Sequence, residues 1–378
     1  MEAKRFIELI HDELGIGFYA GVPDSLLKPL CNTLWQTCEH GKNFFVTADE
    51  GAAAALCAGH YLAAGTPGMV FMQNSGLGNA VNPIASLLDR RVYGIPVLFV
   101  IGWRGEPGVH DEPQHVFQGE ITPALCETMQ LPYIILDADT SEAEFTAALD
   151  RFRNAFAEGI STAIIVRKGA LTGGEAVKFT NANSMKREDA VRVIAECVNP
   201  SAAFVSTTGK TSRELFEIRE ADGTGHSRDF LTVGSMGHAC MIALGIAVEQ
   251  PGREVVCLDG DGAALMHLGS LYHIGAAAPA NYIHVVFNNE AHESVGGMPI
   301  ANTHVPFAET ARLAGYKAQY TVRTVDELRE ALKQAEAGPK PCFIEAICAI
   351  GSRADLGRPT TTPKQNRDAL MAFLKEEA

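Results

Sequence analysis

Two short motifs in the second half of the chain carry side chains suited to a metal ion and a diphosphate. The first is Gly260-Asp261-Gly262, and 25 residues later comes Asn288-Asn289. Glycine lets an anionic group approach the backbone closely, while a carboxylate and an amide offer the hard oxygen ligands that Mg²⁺ prefers. The pair therefore predicts a magnesium ion bound to a diphosphate.

The spacing between these motifs has room for one helix and one strand, predicted at 263–275 and 282–287. Strands joined by a single helix are usually neighbours in a parallel sheet, and such sheets bind ligands at the carboxyl ends of their strands. Asp261 and Asn289 should therefore reach one ion, with the backbone carbonyl of Ala291 as a third ligand. Amides at the start of the following helix favour phosphate. The alternative is two ordinary turns, in which Gly and Asn serve only the backbone conformation.

The first half contains a candidate acid, Glu50, at the predicted start of a helix of small residues that runs to Ala64. A carboxyl group there can serve proton transfer. It can also act only as a favourable charge at the positive end of the helix dipole. Glu50 and the two motifs lie in different halves of the chain. If they serve one reaction, both halves must contribute to the site.

Strands and helices alternate along both halves of the 378-residue chain. This alternation predicts an α/β protein with two doubly wound parallel sheets, each covered by helices on both faces. Residues 173–184 are polar and have no periodicity, which predicts a linker. The expected domains are therefore residues 1–172 and 185–378.

Composition narrows the class of protein. The net charge is −14, and an acidic chain is a poor partner for nucleic acid or an anionic membrane surface. The nine cysteines are scattered without a CxxC pair, which is typical of reduced thiols. No apolar run approaches the roughly 18 residues of a membrane span. We therefore expect a cytoplasmic enzyme that binds neither nucleic acid nor a membrane.

The paired motifs and Glu50 together resemble the signature of the thiamine-diphosphate-dependent enzymes, and the resemblance covers nearly the whole chain. It implies a pyrimidine-binding domain first and a diphosphate-binding domain second, without the middle domain of many longer relatives. It also implies thiamine diphosphate and Mg²⁺ as cofactors. Each cofactor would lie between two subunits of a homodimer or homotetramer.

The resemblance assigns roles to single residues. Glu50 would hydrogen-bond the aminopyrimidine ring and so promote loss of the thiazolium proton. Met236 would separate the two cofactor rings, and the Gly234 carbonyl would accept the amino group. The implied cofactor contacts are Glu50, Thr208, Gly209, Gly234, Ser235, Met236, Gly260, Asp261, Gly262, Ala263 and Asn289, and the implied Mg²⁺ ligands are Asp261, Asn289 and Ala291.

Three segments, residues 21–28, 102–115 and 209–216, resemble those of 2-oxo acid decarboxylases whose substrate carries a second anionic group on carbon 3. The resemblance implies conversion of phosphonopyruvate to phosphonoacetaldehyde and CO₂. Sulfopyruvate, another 2-oxo acid, or a synthase or oxidase reaction are the alternatives within the family. A non-catalytic nucleotide-binding subunit is the alternative outside it.

The expected substrate is a small anion whose doubly charged end cannot be buried without cationic or N–H partners. Arg104 and Lys210 are the predicted cations. Arg104 lies in the long aperiodic stretch 102–115, which is predicted to be a functional loop. Asp24, His115 and His292 are the predicted proton-transfer groups, each expected on a loop at the mouth of the site.

Overall fold

The computed structural model describes residues 1–376 and divides into two compact units. The first unit contains Met1–Lys178 and Ser294–Ala301. The second contains Phe179–Glu293 and the described residues from Asn302 onward. Within residues 1–376 there is no third unit, so the predicted lack of a middle domain is confirmed.

A six-stranded sheet forms the centre of the first unit, and all of its strand pairs are parallel. The strands are β1 (Tyr19–Gly21), β2 (Phe44–Val46), β3 (Gly68–Gln73), β4 (Val97–Gly102), β5 (Tyr133–Leu136) and β6 (Thr162–Val166). The helices are α1 (Ala3–Leu14), α2 (Lys28–Thr37), α3 (Glu50–Ala64), α4 (Leu77–Pro83), α5 (Pro113–Thr128) and α6 (Glu142–Ala157). The strand order is β2-β1-β3-β4-β6-β5.

The second unit repeats this architecture with a second parallel six-stranded sheet. Its strands are β7 (Ala203–Ser206), β8 (Asp229–Leu231), β9 (Val255–Gly260), β10 (Tyr282–Asn288), β13 (Ala318–Val322) and β14 (Cys342–Ile347). Its helices are α7 (Arg187–Cys197), α8 (Lys210–Asp222), α9 (Ala239–Glu249), α10 (Asp261–Met266), α11 (Ser270–Ala277), α12 (Phe307–Ala314), α13 (Val325–Ala337) and α14 (Pro363–Phe373). The strand order is β13-β14-β10-β9-β7-β8. Two-residue strands occur at Ala291–His292 (β11) and, in the first unit, at Met298–Pro299 (β12).

The strands form because their sequences are nearly continuous apolar runs, which suit parallel sheets buried on both faces. Every residue of β4, β6, β10 and β14 is buried. Separate clusters of buried side chains pack the helices against the two faces of the second sheet. The predicted α/β class, with two doubly wound parallel sheets, is therefore confirmed.

The strand orders place a topological switch point in each sheet. In the first unit the chain runs from β1 to β2 on one side and then crosses to β3 on the other side. In the second unit it runs from β7 to β8 and then crosses to β9. Crevices at the carboxyl ends of such strands are the usual ligand sites of open α/β sheets. The loops after β1, β3, β7 and β9 are therefore the places to look for chemistry.

Two details differ from the sequence prediction. The single helix expected at 263–275 is two helices, α10 and α11, which are separated by His267–Gly269. The loop expected at 102–115 is shorter, because α5 begins at Pro113, a residue well suited to the first turn of a helix. Among residues 1–376, the helices are all too short or too polar to cross a membrane.

Candidate active site

Glu50 is the first residue of α3 in the first unit, as the sequence predicted. The helix begins there because Asp49 Oδ1 accepts a hydrogen bond from the N–H of Ala52 at 2.9 Å, which caps the first turn. Glycine at position 65, with φ 73°, ends the helix in a left-handed conformation. The cap fixes the point at which the Glu50 side chain leaves the backbone.

The Glu50 carboxyl is buried, with 4 % of the residue exposed. Its Oε2 accepts a hydrogen bond from Asn79 Nδ2 at 2.7 Å, and its Oε1 lies against Gly76, where an added Cβ would collide with it. Burial raises the pKa of Glu50, and the bond from Asn79 offsets part of that rise. Asn79 thus engages one carboxyl oxygen, while the other lies beside Gly76.

Asp261 stands at the first position of α10 in the second unit, and it is also buried. Its Oδ1 accepts the N–H of Gly262 at 2.6 Å, and its Oδ2 accepts the N–H groups of Asn289 at 3.0 Å and Glu290 at 2.6 Å. This contact exists because β9 and β10 are direct neighbours, with Phe287 opposite Gly260. The predicted approach of the two motifs is confirmed.

The second motif is held by a network of buried polar groups. The Asn289 side chain accepts the N–H of Ala291 through Oδ1 at 3.1 Å and donates through Nδ2 to Glu293 Oε1 at 3.0 Å. Arg187 Nη2 lies 2.9 Å from Glu293 Oε2. Although burial acts to raise it, the charge of Arg187 holds the pKa of Glu293 below its usual value. Because a carboxylate accepts hydrogen bonds, Glu293 orients the Asn289 amide with Nδ2 toward itself and Oδ1 toward the N–H of Ala291.

The oxygen atoms of this region fit a divalent cation. Burial raises the pKa of Asp261 to about 7, and within residues 1–376 no lysine, arginine or histidine forms an ion pair with it. A buried carboxylate without a cationic partner is costly, and a bound cation would offset that cost. Asn289, whose N–H donates to Asp261 Oδ2 at 3.0 Å, offers a second hard oxygen in its side chain. The roles of Asp261, Asn289 and Ala291 as metal ligands remain predictions.

The other predicted diphosphate contacts lie at the switch point between β7 and β9. Thr208 Oγ1 donates to the carbonyl of Val233 at 2.7 Å. Gly209 precedes α8 with φ 94° and ψ −136°, a conformation that only glycine adopts readily, and no side chain caps the first turn. Gly262 and Ala263 are buried in α10. These positions suit an anion at uncapped helix amides, as predicted.

The Gly234-Ser235-Met236 turn lies between β8 and α9. Ser235 has φ 56°, which is uncommon for a residue with a side chain, and its Oγ lies 3.1 Å from His238 Nδ1. Met236 is half-buried. Strained residues of this kind are frequent at ligand sites, so the conformation is compatible with the predicted support of the cofactor.

Asp24 lies in the loop after β1 and is buried, with 2 % exposed. Its Oδ2 accepts the N–H groups of Leu26 at 3.0 Å and Leu27 at 3.3 Å, and its Oδ1 accepts from Gln73 Nε2 at 2.8 Å. Burial raises the pKa of Asp24. Both oxygens are therefore bonded within the unit, while the raised pKa keeps Asp24 a candidate for proton transfer.

The prediction that His115 lies on a loop is wrong, because it belongs to the first turn of α5 and is buried. Its Nδ1 lies 2.9 Å from Asp111 Oδ1. The same carboxylate accepts from Arg104 Nε at 2.8 Å, Arg104 Nη2 at 2.5 Å and the N–H of Gly105 at 2.9 Å. Although burial raises it, these donors hold the pKa of Asp111 below its usual range. Through these bonds Asp111 holds the segment 103–112 together and neutralises the charge of Arg104.

Lys210 has partners within the second unit, and His292 lies in a strand. Lys210 Nζ donates to Ser352 Oγ at 2.7 Å and lies 3.6 Å from Glu293 Oε2. His292 is the second residue of the two-residue strand β11, so the prediction of a loop is wrong there too. Burial lowers the pKa of His292 to about 4. Its Nε2 is buried without a hydrogen-bond partner among residues 1–376, so the imidazole is neutral at pH 7.

Sequence reasoning missed two residues that position the predicted ones. Asn79 contacts Glu50, and Glu293 contacts Asn289. Asn79 lies 29 positions after Glu50, so no local pattern connects them. Glu293 follows Asn289 by four residues, a short spacing that could have prompted the question of how the amide is oriented.

The chain matches two family models. The N-terminal TPP binding domain of thiamine pyrophosphate enzymes matches residues 1–126, and the C-terminal TPP binding domain of the same enzymes matches residues 207–346. Thiamine pyrophosphate is another name for thiamine diphosphate. Glu50 lies within the first match, and the region from Thr208 to Ala291 lies within the second.

Three decarboxylases are similar to this chain over most of its length. The phosphonopyruvate decarboxylase of Streptomyces viridochromogenes is 35 % identical over 378 residues, and that of Streptomyces hygroscopicus is 37 % identical over 380 residues. Each alignment covers 96 % of this chain and 92 % of the relative. The sulfopyruvate decarboxylase of Methanosarcina acetivorans is 27 % identical over 376 residues, or 92 % of each chain. The chain therefore belongs to the thiamine pyrophosphate enzyme family, as a decarboxylase that uses thiamine diphosphate.

Proposed function

We propose that this chain decarboxylates phosphonopyruvate to phosphonoacetaldehyde and CO₂, with thiamine diphosphate and Mg²⁺ as cofactors. One observation carries the proposal: two phosphonopyruvate decarboxylases are 35 % and 37 % identical along 92 % of their length. The sulfopyruvate decarboxylase has similar coverage but lower identity, 27 %. Sulfopyruvate, which also carries an anionic group on carbon 3, is therefore the second candidate substrate.

The predicted residues have separate tasks in this proposal. Bound thiamine diphosphate supplies the nucleophilic carbon and the electron sink for loss of CO₂. Glu50 would exchange a proton with the aminopyrimidine ring through Oε1, because Oε2 is held by Asn79. Asp261 and Asn289 would hold Mg²⁺ through their side-chain oxygens, with the Ala291 carbonyl as a further ligand. The buried setting of both carboxyls excludes water from the groups that hold the cofactor.

We also propose how the domains share this work. Residues 1–172 form the pyrimidine-binding domain, residues 173–184 the linker, and residues 185–378 the diphosphate-binding domain. The active protein is a homodimer or homotetramer, in which Glu50 of one subunit serves the cofactor held by Asp261 of another. The nine free cysteines support a location in the reducing cytoplasm.

A CO₂-release assay on the holoenzyme tests the proposed substrate. Protein loaded with thiamine diphosphate and Mg²⁺ is given phosphonopyruvate, sulfopyruvate or pyruvate in parallel. We expect kcat/KM to be highest for phosphonopyruvate, since a differently charged or missing head group leaves the substrate subsite unpaired. A higher value for sulfopyruvate would replace the proposal with the second candidate. Release from pyruvate alone would contradict both.

A further inference from the structure

We propose that the ammonium group of Lys28 binds the phosphonate of the substrate, in a subsite bordered by the backbone at Gly296. The inference deepens the proposed function and rests on it for the identity of the substrate. The subsite itself is defined by chemistry, as a site for a tetrahedral dianion attached to a short carbon chain. Both residues belong to the first unit.

Lys28 differs from the other lysines of the molecule in both burial and partners. Among the described residues, the half-buried lysines are Lys28, Lys210 and Lys340, and the other lysines are exposed. Lys210 is bonded to Ser352, and Lys340 lies 3.2 Å from Glu254. The ammonium of Lys28 makes no hydrogen bond or ion pair with any residue in the range 1–376. It is therefore a half-buried cation that still lacks an anion.

The cations expected from the sequence are already neutralised. Arg104 forms a two-pronged pair with Asp111, and its remaining Nη1 lies 3.3 Å from Ser25 Oγ. Lys210 shares Glu293 with Arg187. Binding a substrate anion at either position would require one of these pairs to open, and the freed carboxylate would repel the anion. Binding an anion at Lys28 would not require an ion pair to open.

The position of Lys28 suits a ligand site. It is the first residue of α2, on the connection that leaves the carboxyl end of β1. The carboxyl ends of β1 and β3 flank the switch point of the first sheet, where Gln73, the last residue of β3, donates a hydrogen bond to Asp24 in the loop after β1. Ligands of open α/β sheets bind in this crevice. Lys28 is therefore a cation at the edge where a ligand is expected.

Gly296 gives the second observation. An added Cβ at Gly296 would lie 3.3 Å from Lys28 Nζ, which is tighter than ordinary van der Waals contact. Gly296 also has φ 90°, in the left-handed region that disfavours side chains. The backbone therefore passes close to the ammonium and leaves the space beside it free of side chains. A tetrahedral anion needs such space, because its oxygens must approach the ammonium from several directions.

Charge explains why the phosphonate is the part of the substrate that is bound here. A phosphonate carries up to two negative charges and three acceptor oxygens, and an ammonium supplies three donors. Pairing them relieves the half-buried lysine and the dianion at once. A substrate with only a methyl group at this position, such as pyruvate, would gain nothing from Lys28.

The test compares Lys28→Met and Lys28→Arg with the wild-type holoenzyme. In the CO₂-release assay, Lys28→Met should lower kcat/KM for phosphonopyruvate by about 10- to 100-fold and leave that for pyruvate within about threefold, since the loss is one charge-assisted contact. Lys28→Arg should recover part of the loss. Lys42→Met, which changes an exposed lysine beside Glu39, is the matched control and should behave as wild type.

A binding titration tests the subsite independently of the decarboxylation reaction. The probe is 3-phosphonopropionate, which has the carboxylate and phosphonate of the substrate but no ketone. Its affinity for holoenzyme should fall by about 10-fold or more in Lys28→Met, with thermal unfolding unchanged. Equal affinities in the two proteins would overturn the inference, even if wild type decarboxylates phosphonopyruvate. Failure of wild type to decarboxylate phosphonopyruvate, with Lys28-dependent binding intact, would overturn the proposed substrate alone.

Discussion

Glu50 and Asp261 carry two carboxyls with the same degree of burial but different hydrogen-bond donors. Each is the first residue of a helix at a sheet edge, and each is 4 % exposed. Burial raises the pKa of both. Yet Glu50 accepts a side-chain hydrogen bond from Asn79 alone, on one oxygen, whereas three backbone N–H groups surround the oxygens of Asp261.

The difference shows how a fold assigns two roles to one chemical group. Fixed N–H groups favour the ionised carboxylate and hold its oxygens in place, as a metal ligand requires. A carboxyl with a single side-chain donor can gain or lose a proton next to a ligand, as general acid or base catalysis requires. We therefore expect changes at Asp261 to act on cofactor binding and changes at Glu50 to act on turnover.

The largest effect is expected for Asp261→Ala. Removing the carboxylate leaves the N–H groups of Asn289 and Glu290 without an acceptor and takes away the predicted anionic ligand of Mg²⁺. Outer partners of a metal ligand typically contribute about 10- to 100-fold in affinity, so loss of the ligand itself should exceed about 100-fold. Fluorescence quenching on titration with thiamine diphosphate and Mg²⁺ measures this, and circular dichroism checks the fold. Holoenzyme formation at wild-type affinity would contradict the metal assignment.

The next effect is expected for Glu50→Gln. The amide keeps the size of the side chain but cannot exchange the proton, so kcat should fall by about 100- to 10,000-fold. Affinity for thiamine diphosphate and Mg²⁺ should stay within a few fold, because the diphosphate is held elsewhere. Single-turnover CO₂ release together with the same titration separates the two quantities. Unchanged kcat would remove Glu50 from its proposed role.

A smaller effect is expected from pH. The pKa of Asp261 is about 7, so below pH 7 the metal-free protein holds a proton that Mg²⁺ must displace. The affinity for Mg²⁺ should therefore fall by about tenfold for each pH unit below 7 and level off above it. Titrations between pH 5.5 and 8.5, corrected for the pH dependence of Mg²⁺ binding to free thiamine diphosphate, test the sign. A flat profile would show that this carboxyl stays ionised throughout.

The smallest effect is expected for Asn79→Ala. Loss of the donor removes a contact that lowers the pKa of Glu50, so this pKa rises further. The acidic limb of the kcat profile should move to higher pH, and kcat near pH 7 should fall by about 3- to 10-fold, which corresponds to the net contribution of one ordinary hydrogen bond. Asn82→Ala, at an exposed position one turn later in α4, is the control. Equal profiles for both variants would mean that Asn79 does not tune Glu50.

Much of the candidate metal site could be predicted, because a short helical connection and one strand join its two motifs. One helix and one strand separate Asp261 from Asn289, and right-handed crossovers place such strands side by side. The N–H of Asn289 accordingly donates to Asp261. Glu50 was predictable by residue type and by its place at the start of a helix. Its partner Asn79 was not, since side-chain pairing between two helices depends on how they pack.

The candidate cations show most clearly what could not be predicted from the sequence. Arg104, Lys210 and Lys28 all lie in segments that resemble those of related decarboxylases, and by residue type alone they are equivalent. The sequence by itself determined the fold class, because periodicity controls that feature, and its resemblance to the thiamine pyrophosphate enzymes indicated the cofactor and the two carboxyls. The tertiary structure alone decided that Asp111 holds Arg104, that Ser352 and Glu293 hold Lys210, and that Lys28 has no anion. The reason is physical: a charge is free or neutralised according to what folding brings within a few ångströms of it.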